Sequence, residues 1–257
     1  MPQVYVIREM KKLLSIFIIF LTAAIQLNAQ ERTVQNRPYT DLRPFHFGVL
    51  VGGHLQDIEF DNVGPQTITL DDGTQVERFI SCDQDRWELG FNVGVLGEFR
   101  LHEHFALRIA PAMYFGTRHL TFLNHSENMP DGSPVIQRQE LKTAYITSAV
   151  DLIFAAKRFN NHRPYIMAGI NPMMNLSGKD EDIVRLKRFD CYLELGMGCD
   201  FYLPFFKLRP ELKFMYGLTN NLNTSHINNM QDKNMKIYSN SVNKARGKMI
   251  VLTFYFE

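Results

Sequence analysis

The chain has 257 residues, of which 45% are hydrophobic, 21% charged and 12% aromatic, and these figures exclude collagen, coiled coil and disordered polymer. Its 28 basic and 27 acidic residues leave a formal net charge of +1, so no bulk field directs it to nucleic acid or other polyanions. Three cysteines, Cys82, Cys191 and Cys199, cannot make a fully paired disulfide framework, and no uncharged apolar run is long enough for a helical membrane span.

At the N-terminus, Met10-Lys11-Lys12 precede an apolar stretch from Leu13 to Ile25 and then Leu27-Asn28-Ala29. A positive head, a short apolar core and a small residue at the exit form a secretory signal peptide, expected over 1–29, with Met10 suited to be the true start. Residue 30 is Gln rather than Cys, so no lipid attachment is expected at the cut. Residues 30–44 then read as a periplasmic lead-in, and 45–257 as one domain.

Side-chain alternation, not helical period, runs through that domain. In chain order, strands are expected at about 45–56, Glu88 to Arg100, 104–117, 140–155, 164–175, Arg188 to Leu203, Lys207 to Leu218 and 247–257. The clearest is 88–100, where Leu89, Phe91, Val93, Val95 and Phe99 alternate with Glu88, Gly90, Asn92, Gly94, Glu98 and Arg100. Successive strand side chains point to opposite faces, so one face is apolar and the other polar or small. The connections Arg100–His104, Lys157–Arg163 and Leu203–Phe206 are short. Those at 57–86, 117–139, 176–187 and 219–246 are long and polar. Short and long connections alternate, which implies an all-β fold: an eight-stranded antiparallel up-and-down transmembrane β-barrel with long external loops.

A lipocalin-like barrel or sandwich would put the apolar face inside. A membrane barrel puts it against lipid and encloses the charges, and three features favour that arrangement. Charges of both signs share the polar face (Glu88, Glu98, Arg108, Asp190, Glu194, Asp200, Arg209, Glu211 and Lys213), where they can pair inside the barrel. Small residues such as Gly48, Gly52, Gly90, Gly94, Gly196 and Gly198 lie on that same face. A final strand, Met249 to Phe256, carries aromatics to its tip.

The lead-in Asn36-Arg37-Pro38-Tyr39-Thr40-Asp41-Leu42-Arg43-Pro44-Phe45-His46-Phe47-Gly48, the segment Arg163-Pro164-Tyr165 to Ala168-Gly169, and Leu208-Arg209-Pro210-Glu211-Leu212-Lys213-Phe214 to Gly217-Leu218 resemble the PorT family. Those are small outer-membrane barrels associated with type IX secretion and gliding motility. The resemblance covers essentially the whole mature chain. It implies an outer-membrane location, an eight-stranded barrel and a role in protein export alongside other secretion components, and it supplies no catalytic residues.

Other chemistry reads weakly. His102 and His104 flank Glu103 in an expected tight turn without a third metal ligand, and Asp180-Glu181-Asp182 lacks the spacing of a calcium loop. His54, Asp57 and Ser81 could be imagined as a lipid-modifying or proteolytic site, but nothing in their spacing requires it. No metal, cofactor, catalytic residue or small-molecule substrate is therefore expected. Cys191 and Cys199 lie about 27 Å apart along one strand and read as lipid-facing, while Cys82 reads as a loop thiol free to react or to pair between chains. Asp71-Asp72-Gly73 between two apolar runs reads as a hairpin, with Ile68, Leu70, Asp72, Gly73, Val76 and Phe79 as a partner-contact surface or an extension of the neighbouring strands. The loop at 219–246 is rich in Asn and Ser and is expected to lack a core of its own. Eight strands leave room only for side chains, so a porin is not expected. The expected role is a non-enzymatic component of outer-membrane protein secretion, with a generic adhesin or structural barrel as the alternative.

Overall fold

Alternating outward and inward side chains build ten strands in the computed structural model, which describes residues 34–69, 74–129, 132–178, 182–225 and 233–257. They are β1 (Phe45–Asn62), β2 (Pro65–Thr69), β3 (Gln75–Gln84), β4 (Glu88–Arg100), β5 (Phe105–Asn128), β6 (Pro134–Ala155), β7 (His162–Asn175), β8 (Phe189–Tyr202), β9 (Lys207–Gly217) and β10 (Val242–Phe256). Eight of them close a ring in the order β5-β4-β1-β10-β9-β8-β7-β6, with β6 returning to β5. Every pairing in the ring is antiparallel, and the last strand seals against the first, from Val49 opposite Phe256 to Asp57 opposite Lys248 and beyond. The fold is an eight-stranded up-and-down barrel. Closure leaves no free edge within the ring. The signal peptide expected at 1–29 lies outside the described residues.

An exposed apolar belt encircles the ring. On β1 it runs from Phe47 through Val49 and Val51 to Leu55, on β8 through Leu193, Leu195 and Met197, and on β9 through Leu212 and Phe214. On β1 the belt is close to the about 9–11 residues with which a tilted strand crosses a bilayer. None of the described helices is long and apolar enough to span a membrane.

Four strands continue well past the belt, which corrects the expected ends. β5 has 24 residues, β6 22, β1 18 and β10 15. Along each of them the contents of the two faces exchange. Outward on β1, Leu55 gives way to Asp57, Glu59 and Asp61, which sit opposite Lys248, Arg246 and Lys244 of β10. The Lys248 ammonium bonds Glu59 and holds that carboxyl below its usual range. Inward on the same strand, polar His54 and Gln56 give way to Ile58. β5 changes likewise, from inward Arg108 and Arg118 to inward Leu120 and Phe122. The chain is thus a membrane barrel in the belt and a water-soluble barrel above it, because the medium outside the wall changes from lipid to water. The 117–139 segment read as a polar loop because its outward residues, His119, Thr121 and Arg138, face water from within a wall.

Above the belt the inward residues form a core with Ile58, Ile80, Cys82, Leu120, Phe122 and Leu141. Loop residues close over it. Ile183, Val184 and Leu186, from the supposedly polar 176–187 loop, are buried there, and the Gln139 amide exchanges two hydrogen bonds with the Val184 backbone at 3.0 and 2.9 Å. The described part of the 219–246 segment, expected to lack a core of its own, docks on this one. Helix α1 (Lys233–Asn240) packs Met235, Ile237 and Tyr238 on this core, with Tyr238 edge-on to Phe122 at 5.9 Å. An eight-residue helix is marginal alone, so this packing holds it in place. The loop borrows the barrel's core rather than building its own.

Candidate functional site

Inside the belt, layers of ion pairs fill the lumen. Nearest the short turns, Arg209 bonds Glu98 and Asp200, with its Nε 2.5 Å from Asp200 Oδ1, while Lys207 pairs with Glu257. One layer up, Arg108 donates through Nε and Nη2 to Asp151 Oδ2 at 3.0 and 2.9 Å, and through Nη2 to Glu211 Oε1 at 2.9 Å. Glu211 also accepts from the Tyr165 hydroxyl at 2.8 Å and the Tyr255 hydroxyl at 2.9 Å. Next, Lys213 donates to Glu194 at 2.8 Å. Near the top of the belt, the Thr219 hydroxyl donates to Asp190 at 2.6 Å. Buried charges are tolerable only when paired and hydrogen-bonded in this way.

Crowding accompanies the pairing. At Gly169 a Cβ would collide with the Asp151 carboxylate, so only glycine lets the Arg108 pair form. Arg108, Tyr192, Glu194 and Tyr255 have no solvent exposure at all, so no aqueous path passes their levels. A polar cavity of about 20 Å³ beside His46, Glu98 and Arg209 has room for about one water.

Glu98, Arg108, Asp190, Glu194, Asp200, Arg209, Glu211 and Lys213 therefore all point into the barrel and are buried. Glu88 does not join them. β4 leaves the β5 ladder at Gly90 opposite Gly116 and β3 takes its place, so Glu88 sits at a seam. There it bonds Arg86 and exposed His119, each at 3.0 Å. Arg118 and Asp151 belong to the lumen but escaped the sequence reading. Asp151 could have been found, since it sits on the polar parity of β6 between Val150 and Leu152.

The residues imagined as an enzyme site do not converge. His54 is inside the barrel, Asp57 faces outward opposite Lys248, and the Ser81 hydroxyl contacts exposed His125 at 2.9 Å. His104 in the tight turn contacts the Ala155 carbonyl at 2.9 Å, with its ring 6.4 Å from that of His102. Among the described residues no group of three or more metal-ligating side chains occurs.

Two surfaces outside the lumen are ordered. At the loop end, β2 and β3 form the hairpin, with Ile68 opposite Val76, and β3 extends the wall by pairing with β5 from Ile80 to Gln84. Phe79 stacks on His125 at 4.6 Å on the outer face. Leu70, Asp72 and Gly73 lie outside the described residues. At the short-turn end, Asn36–Pro44 is strapped to the rim. The Arg158 guanidinium lies 3.6 Å from the Tyr202 ring centre and donates to the Asn36 and Arg37 carbonyls, and the Tyr202 hydroxyl donates to Asp41 at 2.5 Å.

Cys82 is the clearest single correction. It is 1% exposed within the core above the belt, and burial pushes its thiol pKa up. In a Cys191→Ser, Cys199→Ser background, a water-soluble maleimide should leave Cys82 unmodified in the folded protein and label it after unfolding. Rapid labelling of the folded protein would mean that the core above the belt opens.

A model of the family described as outer membrane protein beta-barrel domain matches residues 28–223. Several solved structures are similar, among them the following three. OprG of Pseudomonas aeruginosa is 11% identical over 81% of this chain and 93% of its own, with a TM-score of 0.41. Neisserial surface protein A is 11% identical over 83% and 98%, with a TM-score of 0.40. The attachment invasion locus protein Ail of Yersinia pestis is 13% identical over 83% and 99%, with a TM-score of 0.36. No curated protein sequence matches the chain.

Proposed function

The chain belongs to the outer membrane protein beta-barrel domain family and lies in the outer membrane, and on that premise we propose that it is a non-enzymatic component of protein export or assembly at that membrane. The type IX kind of secretion implied by the PorT resemblance is the system it serves. The filled lumen carries this reading: with Arg108, Tyr192 and Tyr255 sealed from water, cargo does not pass through, and the work falls to the rims. The two rims differ in character. The periplasmic rim is held by the Asn36–Pro44 strap, and the external rim by the β2–β3 hairpin and the capped core.

Deleting the gene should leave type IX cargo in the periplasm. Replacing residues 63–79 with a short Gly/Ser linker spares Ile80 and Cys82, so the core above the belt survives. That variant should insert normally yet fail to release cargo. Trimming 226–232, which spares α1, should have little effect. Normal cargo release after gene deletion would remove the secretion reading, and a simultaneous loss of surface attachment would favour an adhesin. Normal release after loss of the hairpin alone would move the contact to the periplasmic strap.

A further inference from the structure

We propose that the lipid-facing wall near the periplasmic rim carries a groove for one acyl chain of an anionic inner-leaflet phospholipid. This goes beyond the export reading and does not depend on it. A row of small outward residues crosses neighbouring strands there. The Ala156 amide bonds the Pro164 carbonyl, Pro164 lies opposite Cys199, and Pro210 is next to Glu211, which lies opposite Gly198. One row towards the membrane centre stand large residues in unbroken register: Phe154 opposite Ile166, Ile166 opposite Met197, Met197 opposite Leu212, and Leu212 opposite Leu252. Phe201 stands on the opposite bank. Between the banks lies an apolar hollow of about 690 Å³.

The hollow is open on its outer side, where the wall meets hydrocarbon, and an acyl chain lying in it recovers the dispersion contacts its walls would otherwise lack. Its width selects the occupant. The banks are four residues apart along a strand, roughly 13 Å between backbones. Side chains on both banks narrow that gap below the ~10–12 Å diameter of a helix. A single hydrocarbon chain fits; a partner's membrane helix does not.

Charge selects the headgroup. The turn beyond Ala156 carries Lys157, exposed and without an ion pair among the described residues, and His162 is exposed on the outward parity of β7. From Leu152 to Asn175 the sequence contains no Asp or Glu. At the end of the groove an anionic headgroup therefore meets the unpaired Lys157 ammonium.

Native mass spectrometry of the detergent-purified full chain, incubated with phosphatidylglycerol or phosphatidylethanolamine, tests this. The unaltered protein should retain one phosphatidylglycerol in preference to phosphatidylethanolamine. Cys199→Trp, which fills the groove, should abolish that retention, and so should Ala156→Trp on the neighbouring strand. Cys191→Trp, outward on the same strand as Cys199 but outside the groove, should retain the lipid and so controls for added bulk in the belt. Lys157→Glu should erase the preference between the two lipids. A heat-dependent shift in gel migration verifies that each variant is a folded barrel. Equal retention by the unaltered protein and both groove-filling variants would overturn the site, as would a co-purified protein, rather than lipid, lost on filling it. Persistence of the preference in Lys157→Glu would overturn the headgroup assignment.

Discussion

Arg108→Met should destabilise the barrel by about 3–5 kcal/mol, because it leaves buried carboxylates without their cation. Asp151 and Glu211 both bond the Arg108 guanidinium, and all three side chains have zero exposure. Neither carboxylate can reach water without opening the wall. The measurement is urea unfolding of the protein folded into vesicles, followed by the gel shift between unheated and boiled samples. Glu211→Gln should cost clearly less. Arg108 keeps Asp151, and the Tyr165 and Tyr255 hydroxyls, which now donate to Glu211, can turn to accept from the amide. Replacing all three charged members with apolar residues of similar size should recover much of the loss, since the penalty arises from the unpaired charge. If Arg108→Met matched Glu211→Gln in stability, the lumen would be hydrated rather than sealed.

Leu212→Arg should cost about 2–4 kcal/mol for the opposite reason, a charge placed against hydrocarbon. Leu212 is half exposed at the middle of the outward row Leu208, Pro210, Leu212, Phe214 and Tyr216 of β9. Its neighbours Met197 and Leu252 are apolar and offer no partner. Leu195→Arg, central on β8, should behave alike. A matched change on the outward face above the belt, Thr121→Arg, should be nearly silent because that position meets water. The contrast tests the exchange of faces directly: equal costs at Leu212 and Thr121 would mean that the belt does not end where the outward residues turn polar.

Within the belt the sequence alone determined the strands and their faces. Leu89, Phe91 and Val93 against Gly90, Asn92 and Gly94 can alternate only on an extended strand with unlike sides. The turn lengths then set the up-and-down order, and charges of both signs on one face marked the interior. Only the tertiary structure decided what lies above the belt. There the apolar parity moves inward, as at Ile58, Leu120 and Leu141, and the water-facing parity turns polar. A strand of that kind has the composition of a loop, and no local signal says which medium its outer face meets. The buried place of Cys82 and the docking of α1 depend on residues distant in the chain, Phe122 with Tyr238 and Gln139 with Val184. Glu88 has the parity of a lumen residue, and only the replacement of β4 by β3 beside β5 turns its carboxylate to His119. Alternation fixes which side chains share a face; the surroundings of the wall fix which face is the core.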